Sequence, residues 1–150
     1  MIAKRVDRKQ RTSNYKTLVH YIIDRKDAGE KVRDAWSTNC ASADDFDLAI
    51  KEVTFIQSLN TRSRIDKSYH LVVSLAPSED LTRDQWREVE SAFCEAIGFA
   101  EHQRICAIHE DTDHVHLHMA ISKVHPKKIT CVEPYYDKFK LQETCRQLEQ

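Results

Sequence analysis

The sequence predicts an α+β domain: a four- or five-stranded, mostly antiparallel sheet with helices packed on it. Three observations carry this reading. Helical and strand periodicities alternate along the chain. The last two strands are separated only by the short polar turn Asp111-Thr112-Asp113, so they must run antiparallel. Two glycines and three prolines in 150 residues leave little room for linkers or low-complexity segments, so a single domain is expected over 1–150.

The elements follow in order. Ile2 to Val6 is a short strand. Tyr15, Leu18, Val19, Ile22 and Ile23 fall at i, i+3, i+4, i+7 and i+8, one apolar stripe of a helix with Ser13 as its N-cap. Tyr21 lies outside that stripe. At about 100° per residue it points almost directly away, and is either exposed or faces a groove. Asp24 to Arg33 is a polar turn containing Gly29. Ala35 to Asn39 is a strand anchored by Trp36. Ser42-Ala43-Asp44-Asp45 reads as a capping box with Asp in place of Glu. It opens a helix whose stripe is Leu48, Ala49, Val53, Ile56 and Leu59.

The polar loop Asn60-Thr61-Arg62-Ser63-Arg64 follows, of a kind that touches phosphates as commonly as water. Tyr69 to Leu75 is apolar on both faces in its middle, which marks a central strand, with Ser74 near its end. Thr82-Arg83-Asp84-Gln85 is a second capping box, continued by Trp86, Val89, Phe93 and Ile97 and closed by Gly98. Arg104 to Ile108 is a strand running into His109, and His114 to Val124 returns beside it until Pro126. Pro134 starts a last helix through Tyr136, Phe139 and Leu148. That helix is still running at Gln150, which predicts the N-terminal part of a longer protein.

The formal charge of −1 hides an asymmetry. Lys4, Arg5, Arg8, Lys9, Arg11 and Lys16 face only Asp7 in the first sixteen residues. Acidic residues gather elsewhere, at Asp44-Asp45, Asp47 and Glu110-Asp111. A basic arm that includes Lys4 and Arg5 suits a nucleic-acid backbone held beside a metal, and from charge alone a solvated arm fits equally well. Five cysteines, odd in number and without Cys-x-x-Cys spacing, argue for reduced thiols in a cytoplasm and against a zinc ribbon or disulfide framework. No apolar run is long enough to span a membrane, and no signal-peptide pattern is present.

Four of the eight histidines lie in His109-Glu110-Asp111-Thr112-Asp113-His114-Val115-His116-Leu117-His118. His114, His116 and His118 alternate with Val115 and Leu117, so the imidazoles share one strand face. Two imidazoles so spaced can reach one metal ion, and a hairpin makes His109 the nearest third candidate. Imidazoles suit zinc, copper, iron, nickel and manganese. Two mechanisms then compete. A metal-bound water can hydrolyse a substrate, or the metal can act on a phosphate while a side chain attacks. The second requires a nucleophile, and Tyr21 is the residue the helix pattern leaves over. Asp111 can serve as its base, or can orient a ligand histidine through the second ring nitrogen, which is the preferred role. A non-catalytic DNA-binding module with a structural metal is the third possibility.

These residues resemble a known family. His109-x-Asp111-x-x-x-x-His116-x-His118 resembles the third motif of plasmid conjugation and mobilisation relaxases, above all the TraI-type relaxases of broad-host-range IncP plasmids in the MOBP class. Leu18-Val19-His20-Tyr21-Ile22-Ile23-Asp24 resembles the first motif, which carries the nicking tyrosine. Asn60-Thr61-Arg62-Ser63 together with Asp66 to Ser74 resembles the second, whose serine contacts DNA near the nick. Gly98 to Arg104 also resembles the family, so the likeness runs over nearly the whole chain.

The resemblance implies a five-stranded antiparallel sheet with flanking helices, as in the HUH endonucleases and rolling-circle initiators. It implies site- and strand-specific nicking at a plasmid origin of transfer. Tyr21 would attack the scissile phosphate and keep the 5′ end, leaving a free 3′ hydroxyl. His109, His116 and His118 would hold a divalent ion, magnesium or manganese. Ser13, Arg62, Ser74, Lys4 and Arg5 are the expected DNA contacts. The expected partners are single-stranded or hairpin origin DNA, accessory relaxosome proteins, and the coupling protein of a type IV secretion system. The expected location is the bacterial cytoplasm, with export alongside the transferred strand. Two departures stand out. Ser122 occupies the place of an Asn that often follows the histidine pair, and His114 is additional. His114 is expected at the turn or on DNA rather than as a ligand.

Overall fold

The computed structural model describes residues 1–8, 14–110 and 113–150. Five strands form one antiparallel sheet: β1 (Ile2–Val6), β2 (Val32–Thr38), β3 (Ser68–Ser74), β4 (Arg104–His109) and β5 (His116–Ser122). Their spatial order is β1-β3-β5-β4-β2, which puts β5 at the centre and β1 and β2 at the edges. The four α-helices are α1 (Tyr15–Ile22), α2 (Phe46–Leu59), α3 (Arg83–Ala96) and α4 (Asp137–Leu148). The expected α+β class, the antiparallel sheet of five strands and the flanking helices are all present.

Alternation along each strand sorts the core into two layers. One face carries Ile105, Ala107 and Ala120 against Leu18, Val19 and Ile22 of α1 and Ala49 and Val53 of α2. The other carries Leu71, Val73, Leu117, Met119 and Ile121 against α3 and α4, with Trp86, Phe93 and Leu141 buried. The second capping box is complete: the Thr82 hydroxyl accepts from the Gln85 amide, and the Gln85 side chain accepts from the Thr82 amide. Gly98 takes a φ of +86°, the left-handed conformation that ends a helix at low steric cost. All five cysteines are free thiols.

Several element boundaries differ from the sequence reading. Asn14, not Ser13, caps α1, its side chain accepting from the Thr17 amide at 3.0 Å. β2 begins at Val32 because the polar stretch before it is compact: a 3₁₀ turn over Arg25–Asp27 and a further turn through Lys31 lead into the strand. Asp45 caps α2 by accepting from the Leu48 amide, while Ser42 holds the Asp45 amide. The inward face of α2 is Ala49, Ile50, Val53 and Gln57, and Leu48 and Leu59 are about half exposed. Gln57 can be buried because its amide donates to the Lys67 carbonyl and the Ser122 hydroxyl.

β5 begins at His116. His114 is instead held by the Leu75 carbonyl at 3.0 Å, and the Leu75 amide bonds to the Val115 carbonyl. α4 starts after Pro134, at Asp137, which is anchored by the Tyr69 hydroxyl and Arg5. Tyr136 and Phe139 lie on its exposed side, Leu141, Thr144 and Cys145 face inward, and Glu149 caps the helix. Among the described residues no helix is long and apolar enough to cross a membrane.

Candidate active site

The β4–β5 hairpin builds the histidine cluster by register. His109 pairs directly with His116, and His118 lies two residues further on the same face, opposite Ala107. The ring centroids of His109 and His118 are 4.1 Å apart, and those of His116 and His118 are 6.1 Å apart. β3 closes the other side. His116 faces Ser74 across the ladder, and their Nδ1 and Oγ lie 3.0 Å apart. The ring of His70, on the same face of β3, brings its Nε2 to 3.0 Å from His118 Nδ1.

α1 hangs Tyr21 over this cluster. Its apolar side, with Tyr15, Leu18, Val19 and Ile22, is buried against the sheet. The Tyr15 hydroxyl donates to the Ala120 carbonyl at 2.8 Å, and His109 Nε2 donates to the Ile22 carbonyl at 2.5 Å. Two points of β4 and β5 therefore hold the helix in place. Tyr21 is 63% exposed, yet its ring meets those of His70 and His118 edge-on, with centroids 6.0 and 6.3 Å away. It opens onto a cleft of about 940 Å³ lined by His109, His116, His118, Ser74, Lys4 and Asp24. The tyrosine that turns its back on the core stripe is the one that faces the imidazoles.

Burial keeps two of these rings neutral. Desolvation, followed by the charges of Arg8 and His109, lowers His70 to about 4. Desolvation, followed by His109, His70 and His116, lowers His118 to about 3. Neutral imidazoles offer lone pairs, as a metal shell requires. His116 and His118 are both held from Nδ1, which in His118 leaves Nε2 as the ligating nitrogen. His109 is held from Nε2, so it would have to release Ile22 to ligate through that atom. Among the described residues no three His, Cys, Asp or Glu side chains already stand in ligating geometry around one point. The donor chemistry of neutral imidazoles fits a divalent ion.

The expected site residues do not all gather here. Tyr21, His109, His116, His118, Ser74, Lys4 and Arg5 share the cleft. Ser13 and Asp111 lie outside the described residues. Arg62 is exposed in a separate hollow lined by the Asn60–Ser63 loop and by Lys128 to Cys131. Arg5 lines the same cleft and is already paired. Its guanidinium pairs with Glu133 and Asp137 and stacks over Tyr69 at 4.5 Å, so it is committed to the α4 side of the sheet. Neighbours on a strand point to opposite faces, so the Lys4 and Arg5 side chains leave β1 on opposite sides of the sheet, although Arg5 also lines the cleft.

Sequence reasoning missed His70, which holds His118, and Asp24, which lines the cleft. His70 shares the parity of Ser74 on one strand, a signal that was available. Asp24 ends α1 in the left-handed region at φ 57°, its carboxylate accepting from the Lys31 amide, and no periodicity marks such a position. Ser122, in the place of the family's Asn, is fully buried. Its hydroxyl accepts from Gln57 and the Val124 amide, and its carbonyl is held by His102.

Comparison with known proteins identifies the family of the chain. The model of the MobA/VirD2-like relaxase nuclease domain matches residues 21–150. Two proteins named TraI from Escherichia coli are 42% and 41% identical over 99% of this chain. A MobA protein from Acidithiobacillus ferrooxidans is 38% identical over 45% of it. The chain spans about a fifth of the length of each TraI relative. It belongs to the MobA/VirD2-like relaxases and carries their nuclease domain.

Proposed function

We propose that this domain nicks one strand of DNA at a plasmid origin of transfer by transesterification onto Tyr21, initiating conjugative transfer. The observation that carries the reading is Tyr21 itself: an exposed ring at the mouth of the cleft, edge-on to two buried histidines. The phenol oxygen attacks the scissile phosphorus and loses its proton. The bond to the 3′ oxygen breaks, and that oxygen leaves as a hydroxyl after taking up a proton. The 5′ phosphate stays on Tyr21 as a diester, so the energy of the broken bond is kept for rejoining.

His109, His116 and His118 would hold the divalent ion, magnesium or manganese. When bound, that ion supplies Lewis-acid polarisation of the phosphate. Asp111 is retained as the orienter of a ligand histidine on sequence grounds alone. Lys4 and Ser74 line the cleft and would contact the strand near the nick. Arg62 and Ser13 would add further contacts to the strand. The DNA partner would be the single-stranded or hairpin region of the origin. Accessory relaxosome proteins and a type IV coupling protein would receive the covalent complex.

The test uses a single-stranded origin oligonucleotide, manganese and a denaturing gel. A protein–DNA adduct formed by the wild-type chain and absent in Tyr21→Phe is the expected result. Cleavage that persists in Tyr21→Phe would transfer the reaction to water and overturn the proposal.

A further inference from the structure

β3 lies beside β5 as a row of partners. Ser74 and His70 have the same parity, and each meets the Nδ1 of one β5 histidine: Ser74 that of His116 and His70 that of His118, both at 3.0 Å. Ser74 faces its partner directly in the ladder, whereas His70 pairs with Ala120 and reaches His118 diagonally. Diagonal neighbours on one sheet face are within range of long or aromatic side chains. His70 is 5% exposed, and its ring also receives the edge of Tyr21 at 6.0 Å. A leucine or phenylalanine would fill such a buried place without the desolvation cost of an imidazole. The imidazole is therefore kept for its polar atoms.

We propose that His70 is a positioning residue: its Nε2 accepts the hydrogen on His118 Nδ1, locking His118 in the tautomer whose Nε2 carries the lone pair, while its ring sets the edge of Tyr21. The alternative proton placement has a different consequence. If His70 Nε2 carried the hydrogen, His118 Nδ1 would be the acceptor and His118 Nε2 would hold a proton, closing it as a donor to any cation. One side chain thus couples the nucleophile's orientation to the ligand's tautomer. Such outer partners usually change metal affinity by about 10- to 100-fold. This inference rests on the tyrosine transesterification reading and adds to it a residue outside the reacting set.

The first measurement needs no variant. Nitrogen-15 spectra of the metal-free wild-type chain near neutral pH should show both His118 and His70 protonated on Nδ1. A spectrum showing His118 protonated on Nε2 overturns the proposal. The second compares His70→Leu with His70→Gln, whose amide oxygen can replace the accepting nitrogen. Calorimetric titration with manganese should show about 10- to 100-fold weaker binding for His70→Leu, and affinity within a few-fold of wild type for His70→Gln. In adduct formation His70→Leu should lose kcat with little change in KM for the oligonucleotide.

Wild-type manganese affinity in a folded His70→Leu chain would sink the proposal, and so would an equal loss in both variants. If His70→Leu does not fold, the wild-type spectrum and the His70→Gln titration still decide. The parent reading fails separately, when wild-type protein makes no adduct or Tyr21→Phe still cleaves. The tautomer and the metal titration are both read without cleavage.

Discussion

Glu90 ties three elements together on the face of the sheet away from the histidines, and removing it should cost more than any surface change. It stands on α3 and is 1% exposed; Arg104, the first residue of β4, is 3% exposed. One carboxylate oxygen takes Arg104 Nε at 2.6 Å and the Thr38 hydroxyl at 2.5 Å. The other takes Trp36 Nε1 at 2.7 Å. In Glu90→Ala the guanidinium keeps only the carbonyls of Phe99 and His102, each at 3.2 Å, with weaker help from Ala100. Breaking a buried pair on one side costs about 3–5 kcal/mol, because a desolvated charge is left behind. The orphaned indole N–H belongs to the same network, so its cost does not add in full. With a urea slope of about 2 kcal/mol per molar, the unfolding midpoint should fall by roughly 1.5–2.5 M. Glu90→Ala with Arg104→Met removes the stranded charge and should recover at least half of the loss. A loss below about 1 kcal/mol in Glu90→Ala would mean that water reaches the guanidinium, and the argument from burial would fail.

Three further outcomes follow from the same geometry. His70 and His118 are depressed to about 4 and about 3, so below the ordinary histidine value the unfolded chain binds more protons than the folded one. Their share of stability is complete above about pH 6.5 and is lost as pH falls towards those two values; metal-free protein should lose about 2 kcal/mol between about pH 6 and 5, a slope that His70→Gln roughly halves. Urea midpoints that do not move across that range would refute it. Lys4→Ala should weaken binding of a single-stranded origin oligonucleotide and lower its log–log salt slope by about 0.7, the value for one lost phosphate contact. An unchanged slope would remove Lys4 from the DNA path. Arg5→Ala should leave that slope alone and lower thermal stability instead, because its guanidinium is held by Glu133, Asp137 and Tyr69.

What could be read from the sequence was local. The β4–β5 hairpin was legible because a short polar turn between alternating runs leaves one arrangement, and with it the meeting of His109, His116 and His118. The α3 cap and its Gly98 terminus were legible because each is decided within a few residues. The face of α2 was not. Ala49 and Val53 fit two adjacent stripes, and the choice fell to Gln57, whose partners Lys67 and Ser122 come from elsewhere in the fold. The start of α4 was missed for the same kind of reason, since Asp137 is fixed by Arg5 and Tyr69 rather than by Pro134.

The site divides along the same line. The groups proposed to react announce themselves locally: two histidines on one strand face, a third across the hairpin turn, and one tyrosine off a helical stripe. Their orientation depends on β3, whose register against β5 no local pattern encodes. His70 and His118 are 48 positions apart and meet only once Ser74 is set opposite His116. A shift of one residue in that pairing would turn His70 and Ser74 to the other face together, and both β5 rings would lose their Nδ1 partners. The apolar residues between them, Leu71 and Val73, are fully buried in the opposite layer and forbid such a shift. The core on the α3–α4 side thus holds the tautomers on the α1 side. For that reason, packing changes at Leu71 or Val73 should disturb metal affinity before they disturb the position of Tyr21, which α1 holds through Ala120 and His109 instead.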